Sequence, residues 1–445
     1  MKNHTFPNAL TIVVSFILAA GILTYIIPKG RYQRKVDPTT NREVVVADSY
    51  QRVETKNLSP FEILVCIPRG IVKGGEVVVL IFLVGGCLFI VEQTGALKEG
   101  VVYFTSKVRG KEEFALAITG LLFAVGGATE GLEEEIIPLI PVLLIFTRNL
   151  GYSPMVTVAI SYGSAILGAS FSPVNPFAAV IAQKISEVPF LTNSIFRLIV
   201  FAIGFVLWMI IVIRYANRNR IEKQKEEASF NRFSKSHGLI LNLVLFAFAL
   251  LIYGMLSLGW SFNELSAEFF VVGIIVGLIG GLGLNGTFLS YVEGLKQMTF
   301  AAMIGGFAYA IPLVLKEGMI LDSIIHGLFA PLQYVTPILS AIGMMASQAM
   351  LHIMIPSYSG QAVLTMPILA PLSDLIGLSR DACVIAFQYG AVLMNMISPT
   401  NGSLMAIITI AGISYKEWFA FILKRLLIIY LLCVGTLFAV IAMGI

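Results

Sequence analysis

The chain of 445 residues is 57% apolar and only 13% charged, with a mean hydropathy of +0.87 and a formal net charge of +4. A soluble domain has about 45–50% apolar and about 25% charged residues, so we predict an all-α polytopic membrane protein in a lipid bilayer. A positive charge this small bears on membrane topology, and we expect no nucleic-acid partner. The four cysteines form no Cys-x-x-Cys pair, which indicates packing residues and neither a disulfide framework nor a metal site.

The first part of the chain, residues 1–213, contains apolar runs of about 20 residues that fit the hydrocarbon thickness of a bilayer. Its first run ends without a small-residue cleavage pattern, so we expect it to remain as a helix. In chain order the predicted elements are a span at 8–27, an aqueous loop at 29–59, an interfacial segment at 60–73, a span at 76–91, a surface helix at 97–108, a hairpin with its tip at 126–131, a broken helix at 156–181 and a span at 191–213.

The hairpin is predicted from two apolar arms, 114–125 and 136–146, which flank a glycine-rich tip. Arms this short suit a re-entrant hairpin better than two full spans. The broken helix is predicted from proline, which removes a backbone donor and clashes with the preceding turn. Broken backbone at membrane depth is tolerated only where protein or a water-filled cavity satisfies its polar groups.

Residues 214–238 form the one long polar run after the first loop, and their basic excess predicts a cytoplasmic linker. A linking transmembrane helix at 239–258 follows. Residues 259–445 then repeat the earlier pattern, with a hairpin tip at 355–360 and a broken helix at 384–412. Each half contributes an even number of crossings, so the linking helix inverts the second copy. The sequence therefore predicts two inverted-topology repeats.

The orientation of the chain in the membrane is predicted from the same excess of basic residues in 214–238. Further basic residues on the side of the linker place the N-terminus in the cytoplasm and the C-terminus outside. The first loop, 29–59, is basic as well and argues for the opposite orientation. The residues that support an inside N-terminus are Lys98, Lys107, Arg109 and Lys111.

The two broken helices carry related motifs, SPVNP at 172–176 and SPTNGS at 398–403. A single Ser-Pro would most often be a structural kink. Paired breaks in matching positions of two halves, in contrast, indicate the binding site of a secondary transporter. Helix N-termini at such breaks suit a carboxylate, while C-terminal carbonyls suit Na⁺, which is possible here without any firm metal site.

A run of acids beside the first hairpin is costly in a bilayer, and such acids usually face a cavity or a partner. Glu130, Glu133 and Glu134 are spaced i, i+3 and i+4, so in a helix they would share one face. Close carboxylates cannot all ionise cheaply in a low dielectric, which favours a proton or cation site. The alternative is a solvated cluster in the mouth of the hairpin. Glu130, nearest the glycine tip, is the first choice.

We expect a solute to bind between the two tips and the two breaks. The candidate substrate-binding residues are Thr129, Glu130, Asn175, Ser357, Ser359, Asn401 and Ser403. The candidate ion-coupling residues are Glu130, Glu133, Glu134, Ser172, Ser398 and Thr400.

Several of these polar residues also have structural interpretations. Ser357 and Ser359 are equally suited to capping the return arm, and the two asparagines to bonding the broken backbone. His352 is expected to be a packed, hydrogen-bonded residue rather than a proton relay. Helix-to-helix hydrogen bonding is favoured over ligation for Gln361, Gln388, Tyr389 and Asn395.

The sequence has no Walker motif, no His-Glu-x-x-His and no Gly-x-Ser-x-Gly, so an ATP-driven pump or an ordinary hydrolase is not expected. We predict a non-enzymatic secondary transporter without a cofactor, driven by a Na⁺ or H⁺ gradient or by counter-solute exchange. The alternative from another class is a channel or an intramembrane enzyme that uses the acids of 130–135.

Six motifs of the chain carry a family resemblance: Thr129-Glu130-Gly131-x-x-Glu134, Asn175-Pro176-Phe177-Ala178, Ile355-Pro356-Ser357-x-Ser359-Gly360, Ala370-Pro371-Leu372-Ser373-Asp374, Phe387-Gln388 and Pro399-Thr400-x-Gly402. With these motifs the chain resembles the YfcC-type carriers, which are similar to bacterial arginine/ornithine antiporters and to anaerobic four-carbon dicarboxylate carriers of the ion transporter superfamily. The resemblance implies an elevator-type transporter, a homodimer, a place in the bacterial cytoplasmic (inner) membrane, and an amino acid, possibly basic, or a dicarboxylate as solute. Tyr389-Gly390-Ala391 stands where Gly-Asp is expected after Phe-Gln, so substrate and coupling ion stay open.

Overall fold

The computed structural model describes residues 9–37, 42–97, 99–100, 103, 110–222, 234–258 and 260–444. Eight helical segments of this part are long and apolar enough to cross a membrane, so the chain is a multi-pass membrane protein. The α-helices are Ala9–Ile26, Pro60–Lys73, Gly75–Gln93, Glu112–Thr129, Ile140–Asn149, Pro154–Val158, Ser164–Phe171, Ile181–Ile185, Ser194–Arg218, Lys235–Tyr253, Phe262–Ile279, Gly283–Ala308, Ala310–Glu317, Leu321–Phe329, Pro337–Met354, Tyr358–Leu375, Arg380–Met394, Gly402–Ile410 and Tyr415–Met443. The short 3₁₀ and π segments are Glu134–Leu139, Ala159–Gly163, Pro176–Val180, Gly254–Leu258 and Ala330–Tyr334.

Local sequence explains where several helices begin. Ser59 and Glu62 form a capping box, in which each side chain satisfies the backbone N–H of the other residue. These bonds from Ser59 hold the pKa of Glu62 below its usual range. The same pairing starts the helices at Ser261 and Ser414. Proline in the first turn, where no N–H is needed, starts the helices Pro60–Lys73, Pro154–Val158 and Pro337–Met354.

The first loop departs from the all-α prediction, because it contains two short antiparallel ribbons. Strands this short are below the length at which an alternating pattern can be recognised, and they are stabilised by docking instead. Nη2 of Arg34 forms an ion pair with both carboxylate oxygens of Asp322, at 2.8 Å to Oδ1 and 2.9 Å to Oδ2. Tyr50 stacks on His326. The paired strands are Gly30–Arg31 with Gln51–Arg52, and Arg34–Asp37 with Arg42–Val45.

The first hairpin turns later than the sequence predicted. Helix Glu112–Thr129 includes most of the predicted tip at 126–131, and the chain turns only after it, with Gly131 at φ +71°. A Cβ placed on Gly127 would overlap the carbonyl oxygen of Ala165, so this glycine allows the hairpin arm to contact helix Ser164–Phe171. Its role is close helix packing rather than a turn.

The second half arranges its corresponding elements in the same order. Helix Pro337–Met354 leads through a short turn into Tyr358–Leu375, and helix Arg380–Met394 leads through residues 395–401 into Gly402–Ile410. Gly390 lies against the backbone of helix Pro337–Met354, where a Cβ would overlap the carbonyl oxygen of Met345. In both halves the arm that precedes the tip therefore packs closely against a broken helix.

Parts of the predicted linker and surface helix are described only in fragments. Residues 214–218 continue helix Ser194–Arg218, and the next helix begins at Lys235, while 223–233 lie outside the described residues. The predicted surface helix at 97–108 and the C-terminal Ile445 also lie largely or wholly outside them.

Candidate solute site

A cavity of about 70 Å³ lies where the second hairpin tip meets the second helix break. Glu134 is the charged residue of its lining, and the other polar side chains, apart from Tyr309, come from the tip and the break. The apolar wall belongs to the helices Gly75–Gln93 and Gly283–Ala308 and to the segment that follows. The lining consists of Val77, Ile81, Glu134, Ile137, Gly305, Ala308, Tyr309, Pro312, Ile355, Pro356, Ser357, Thr400, Asn401, Gly402 and Ser403.

The N-terminus of helix Gly402–Ile410 opens on this cavity. Asn401 caps the helix, because its Oδ1 accepts a hydrogen bond from the Leu404 backbone N–H at 2.6 Å. The first residues of the helix therefore present backbone N–H groups and the positive end of the helix dipole to the lining. A Cβ placed on Gly402 would lie 2.8 Å from the Cα of Gly305, so the break approaches helix Gly283–Ala308 backbone to backbone.

Glu133 lies behind the cavity wall in a buried network of hydrogen bonds. Its Oε1 accepts from Nδ2 of Asn395 at 2.9 Å and from Nδ2 of Asn401, and it lies 3.5 Å from the Tyr162 hydroxyl. Nδ2 of Asn395 also donates to the Tyr358 hydroxyl. The network thus joins the first hairpin to the second hairpin and to both broken helices.

Glu130, Glu133 and Glu134 do not share one face of a helix, because the segment that contains them is not a continuous helix. The chain leaves the helix after Thr129, and Glu133 has φ −146° and ψ −72°, so successive side chains diverge. Glu134 lines the cavity, whereas Glu135 accepts a hydrogen bond from the Glu133 backbone N–H at 3.0 Å. Among the described residues, no basic side chain forms an ion pair with any acid of 133–135.

The first helix break has polar residues that are bonded to the backbone. Asn175 caps the following segment, since its Oδ1 accepts from the N–H groups of Phe177 and Ala178 at 3.0 and 2.8 Å. Its Nδ2 donates to the Gly127 carbonyl at 2.8 Å. Ser172 donates to the Ala128 carbonyl at 2.6 Å. These contacts fit the alternative in which such residues bond the broken backbone.

The structure divides the candidate residues into two groups. Those that line the cavity are Glu134, Ser357, Thr400, Asn401 and Ser403. Those outside its lining are Thr129, Glu130, Glu133, Ser172, Asn175, Ser359 and Ser398. Thr129 bonds its own helix at the Val125 carbonyl, and Ser398 lies 2.7 Å from the Thr400 hydroxyl, immediately behind the lining.

Sequence reasoning missed a buried ion pair between Arg197 and Asp381, at 2.6 Å. Nη1 of Arg197 also donates to Oε1 of Gln388 at 2.9 Å. Gln388 in turn donates to the carbonyls of Ala169 and Ser172, both at 2.8 Å. The available signal was an arginine inside the apolar run of helix Ser194–Arg218, because an intramembrane charge requires a partner.

Residues 6–444 match the family model described as DcuC, C4-dicarboxylate anaerobic carrier. The chain is 28% identical to an uncharacterized protein of Haemophilus influenzae, over 99% of this chain and 97% of the relative. It is 27% identical to a putative basic amino acid antiporter, YfcC, of Escherichia coli K12, over 94% of this chain and 92% of the relative.

Two solved transporter structures also resemble the chain. The YdaH transporter of Alcanivorax borkumensis has a TM-score of 0.46 and 16% identity, with 99% of each chain covered. MtrF of Neisseria gonorrhoeae, assigned to a class of antimetabolite efflux pumps, has a TM-score of 0.41 and 15% identity, with 98% of this chain and 95% of MtrF covered.

Proposed function

The chain belongs to the DcuC family of C4-dicarboxylate anaerobic carriers, and on this premise we propose that it is a secondary active transporter of a small carboxylate-bearing solute. The solute is an amino acid or a dicarboxylate, moved across the bacterial cytoplasmic membrane by ion coupling or by exchange. The N-terminus and the linker 214–238 face the cytoplasm in this proposal.

One observation carries the proposal: a helix N-terminus and a carboxylate face the same small cavity. The N–H groups at Gly402 and Ser403, with the hydroxyl of Ser357, suit a carboxylate of the solute. Glu134 suits a positive charge. An amino acid carries both charges and matches both ends of the cavity, as the antiporter name of YfcC also suggests.

A dicarboxylate is the second candidate, supported by the family description. Its second carboxylate would be repelled by an ionised Glu134, so this solute requires that residue to be protonated or neutralised by a cation. The role that the sequence assigned to Glu130 passes to Glu134 in either case, because Glu134 lines the cavity and Glu130 does not.

The proposal includes two inverted repeats, each with a re-entrant hairpin and a broken helix. It is supported by the matching order of elements and by the close packing of each hairpin arm on a broken helix. We further propose that hairpins and broken helices move together past the other helices in an elevator-like transition, within a homodimer, as the family resemblance implies.

Counterflow in proteoliposomes tests the function. Vesicles loaded with unlabelled L-arginine or succinate are expected to accumulate the same labelled solute by exchange, and Asn401→Ala is expected to reduce this accumulation. A channel would show no stimulation by internal solute, and an enzyme would release a product, so either result would reject the carrier.

A further inference from the structure

His352 is fully buried on helix Pro337–Met354, and both of its ring nitrogens face amide side chains. Nδ1 lies 2.8 Å from Oε1 of Gln361, and Nε2 contacts Oδ1 of Asn395. The ring stacks on Tyr358, with centroids 5.5 Å apart. Because amide oxygen and nitrogen have opposite roles, the orientation of each amide decides whether His352 must donate or accept.

The orientation of Gln361 follows from the backbone. Its other amide atom lies 2.7 Å from the carbonyl oxygen of Gln348, which can only accept a hydrogen bond. That atom is therefore the nitrogen, and the atom that faces His352 is the oxygen. Nδ1 of His352 must donate.

The orientation of Asn395 follows from a second backbone group. The Leu404 N–H can only donate, so the atom of Asn401 that receives it is Oδ1, and Nδ2 of Asn401 points the other way. That Nδ2 lies 2.8 Å from an atom of Asn395, which must then be the oxygen. The same oxygen faces Nε2 of His352, so Nε2 must also donate.

A neutral imidazole has one N–H, whereas two acceptors fixed by the backbone require two. We propose that His352 is an imidazolium cation in this conformation, and that it forms a buried proton site with Glu133 as its counter-ion across Asn395. Glu133 fits this role, because its Oε1 receives N–H donors from Asn395 and Asn401. Each buried charge would be costly alone, and the pair with its hydrogen bonds offsets that cost.

The other titratable groups near this proton site are neutral tyrosines and the two acids that follow Glu133 in the chain. Tyr358 stacks on His352 and Tyr162 approaches Glu133, while Glu134 and Glu135 flank it along the chain. On the helices that pack nearby, the acids are bonded elsewhere: Asp381 to Arg197, Asp374 to Arg380, Asp322 to Arg34, and Glu417 to Ser414. Of the basic residues on the last helix, Arg425 donates to the Phe421 carbonyl, and Lys416 and Lys424 are exposed.

The proton site lies wholly within the hairpins and broken helices, which the proposed transport cycle would carry across the membrane together. His352 and Gln361 belong to the two arms of the second hairpin, Asn395 to the second broken helix, and Glu133 to the first hairpin. A proton taken up from water on His352 supplies the second donor, so His352 bonds both Gln361 and Asn395, and release of the proton removes one of these two bonds. Resting on the proposed transport function, the site makes H⁺ the coupling ion.

The test is ¹⁵N NMR of full-length protein labelled at histidine, in lipid bilayers, at about pH 8, above the usual histidine pKa of about 6.5. The chain has four histidines, so each imidazole is separable. We expect one doubly protonated ring in the wild type, absent in His352→Gln and retained in the control His326→Gln. Glu133→Gln removes the counter-ion and should return the ring to its neutral form.

A neutral His352 in the wild type at that pH would overturn the proposal. If His352→Gln does not fold, removal of the other three histidines assigns the signal by elimination. The NMR result does not depend on transport. If counterflow occurs but His352 is neutral, the proton site is rejected and the carrier function stands. If His352 is an imidazolium but no counterflow occurs, the carrier function is rejected and the proton site stands.

Discussion

Tyr162 and Gln388 form reciprocal hydrogen bonds between the two broken helices. The Tyr162 hydroxyl donates to the carbonyl of Asn395 at 3.1 Å, and Nε2 of Gln388 donates to the carbonyl of Ala169 at 2.8 Å. Carbonyls in the last turn of a helix lack intrahelical partners. Here the carbonyls of Asn395 and Ala169, one at each break, receive hydrogen bonds from the other half of the chain. One sequence offset relates three pairs: Tyr162 and Gln388, Ala169 and Asn395, and Ser172 and Ser398.

Removal of these donors is expected to destabilise the fold unequally. Gln388→Leu leaves the carbonyls of Ala169 and Ser172 and one nitrogen of Arg197 without partners, so it should cost about 1–3 kcal/mol or more. Tyr162→Phe keeps the ring and removes one hydroxyl, so it should cost less. Thermal unfolding of the purified variants measures both, and an unchanged midpoint for Gln388→Leu would contradict the argument.

Glu134 and Glu130 offer a matched pair for substrate recognition. If the solute carries a positive charge, Glu134→Gln should weaken L-arginine binding by on the order of 2–5 kcal/mol, as when one partner of a buried charged pair is removed. Glu130→Gln should bind nearly as the wild type does, because Glu130 lies outside the cavity lining. Calorimetry measures both. Equal weakening of L-arginine binding by the two variants would mean that Glu134 is not the residue that binds the positive charge of the solute.

Gly402 and Gly305 test the backbone contact beside the cavity. An alanine Cβ at Gly402 would lie 2.8 Å from the Cα of Gly305, and overpacking of this kind costs about 1–3 kcal/mol. A Cβ at Gly305 would meet only Ile81, at 3.8 Å, which is ordinary contact. Gly402→Ala should therefore lower the unfolding temperature while Gly305→Ala does not, and the reverse order would refute the packing argument.

Cysteine labelling tests the orientation. The native cysteines are all buried, so an introduced cysteine should dominate labelling by a membrane-impermeant maleimide. Ser234→Cys, at the linker, should label only from the cytoplasm, and Asn57→Cys, in the first loop, only from outside. Exchange of the two sides would invert the proposed topology. The four cysteines are Cys66, Cys87, Cys383 and Cys433.

Composition and motifs predicted the features that depend on local sequence. The multi-pass helical membrane protein and the family resemblance are confirmed. The turn after Thr129 was placed too early, because Gly126 and Gly127 were interpreted as a tip, whereas they lie in the last turn of a helix. Which role a glycine serves depends on the neighbouring helix, which a local pattern does not reveal.

The contacts between distant parts of the chain were beyond local patterns. Arg197 and Asp381 are far apart in sequence, and so are Glu133 and Asn401, yet each pair is in direct contact. The cavity lies between such distant segments. The motifs could therefore suggest candidate lining residues but could not show which of them line the cavity. The common offset of Tyr162 and Gln388 was present in the sequence, and an alignment of the two halves extended upstream from the breaks would have revealed it.

The glycine contacts have a mechanical consequence. At Gly127 and Gly390 the hairpin arm and the broken helix touch through backbone, with no layer of side chains between them. Helices usually slide past one another by small readjustments of interposed side chains, and at these two contacts no side chain is interposed. In the elevator-like transition proposed above, we therefore expect each arm and its broken helix to move as one rigid unit. We expect the hinges of that transition in the segments that connect these units to the remaining helices.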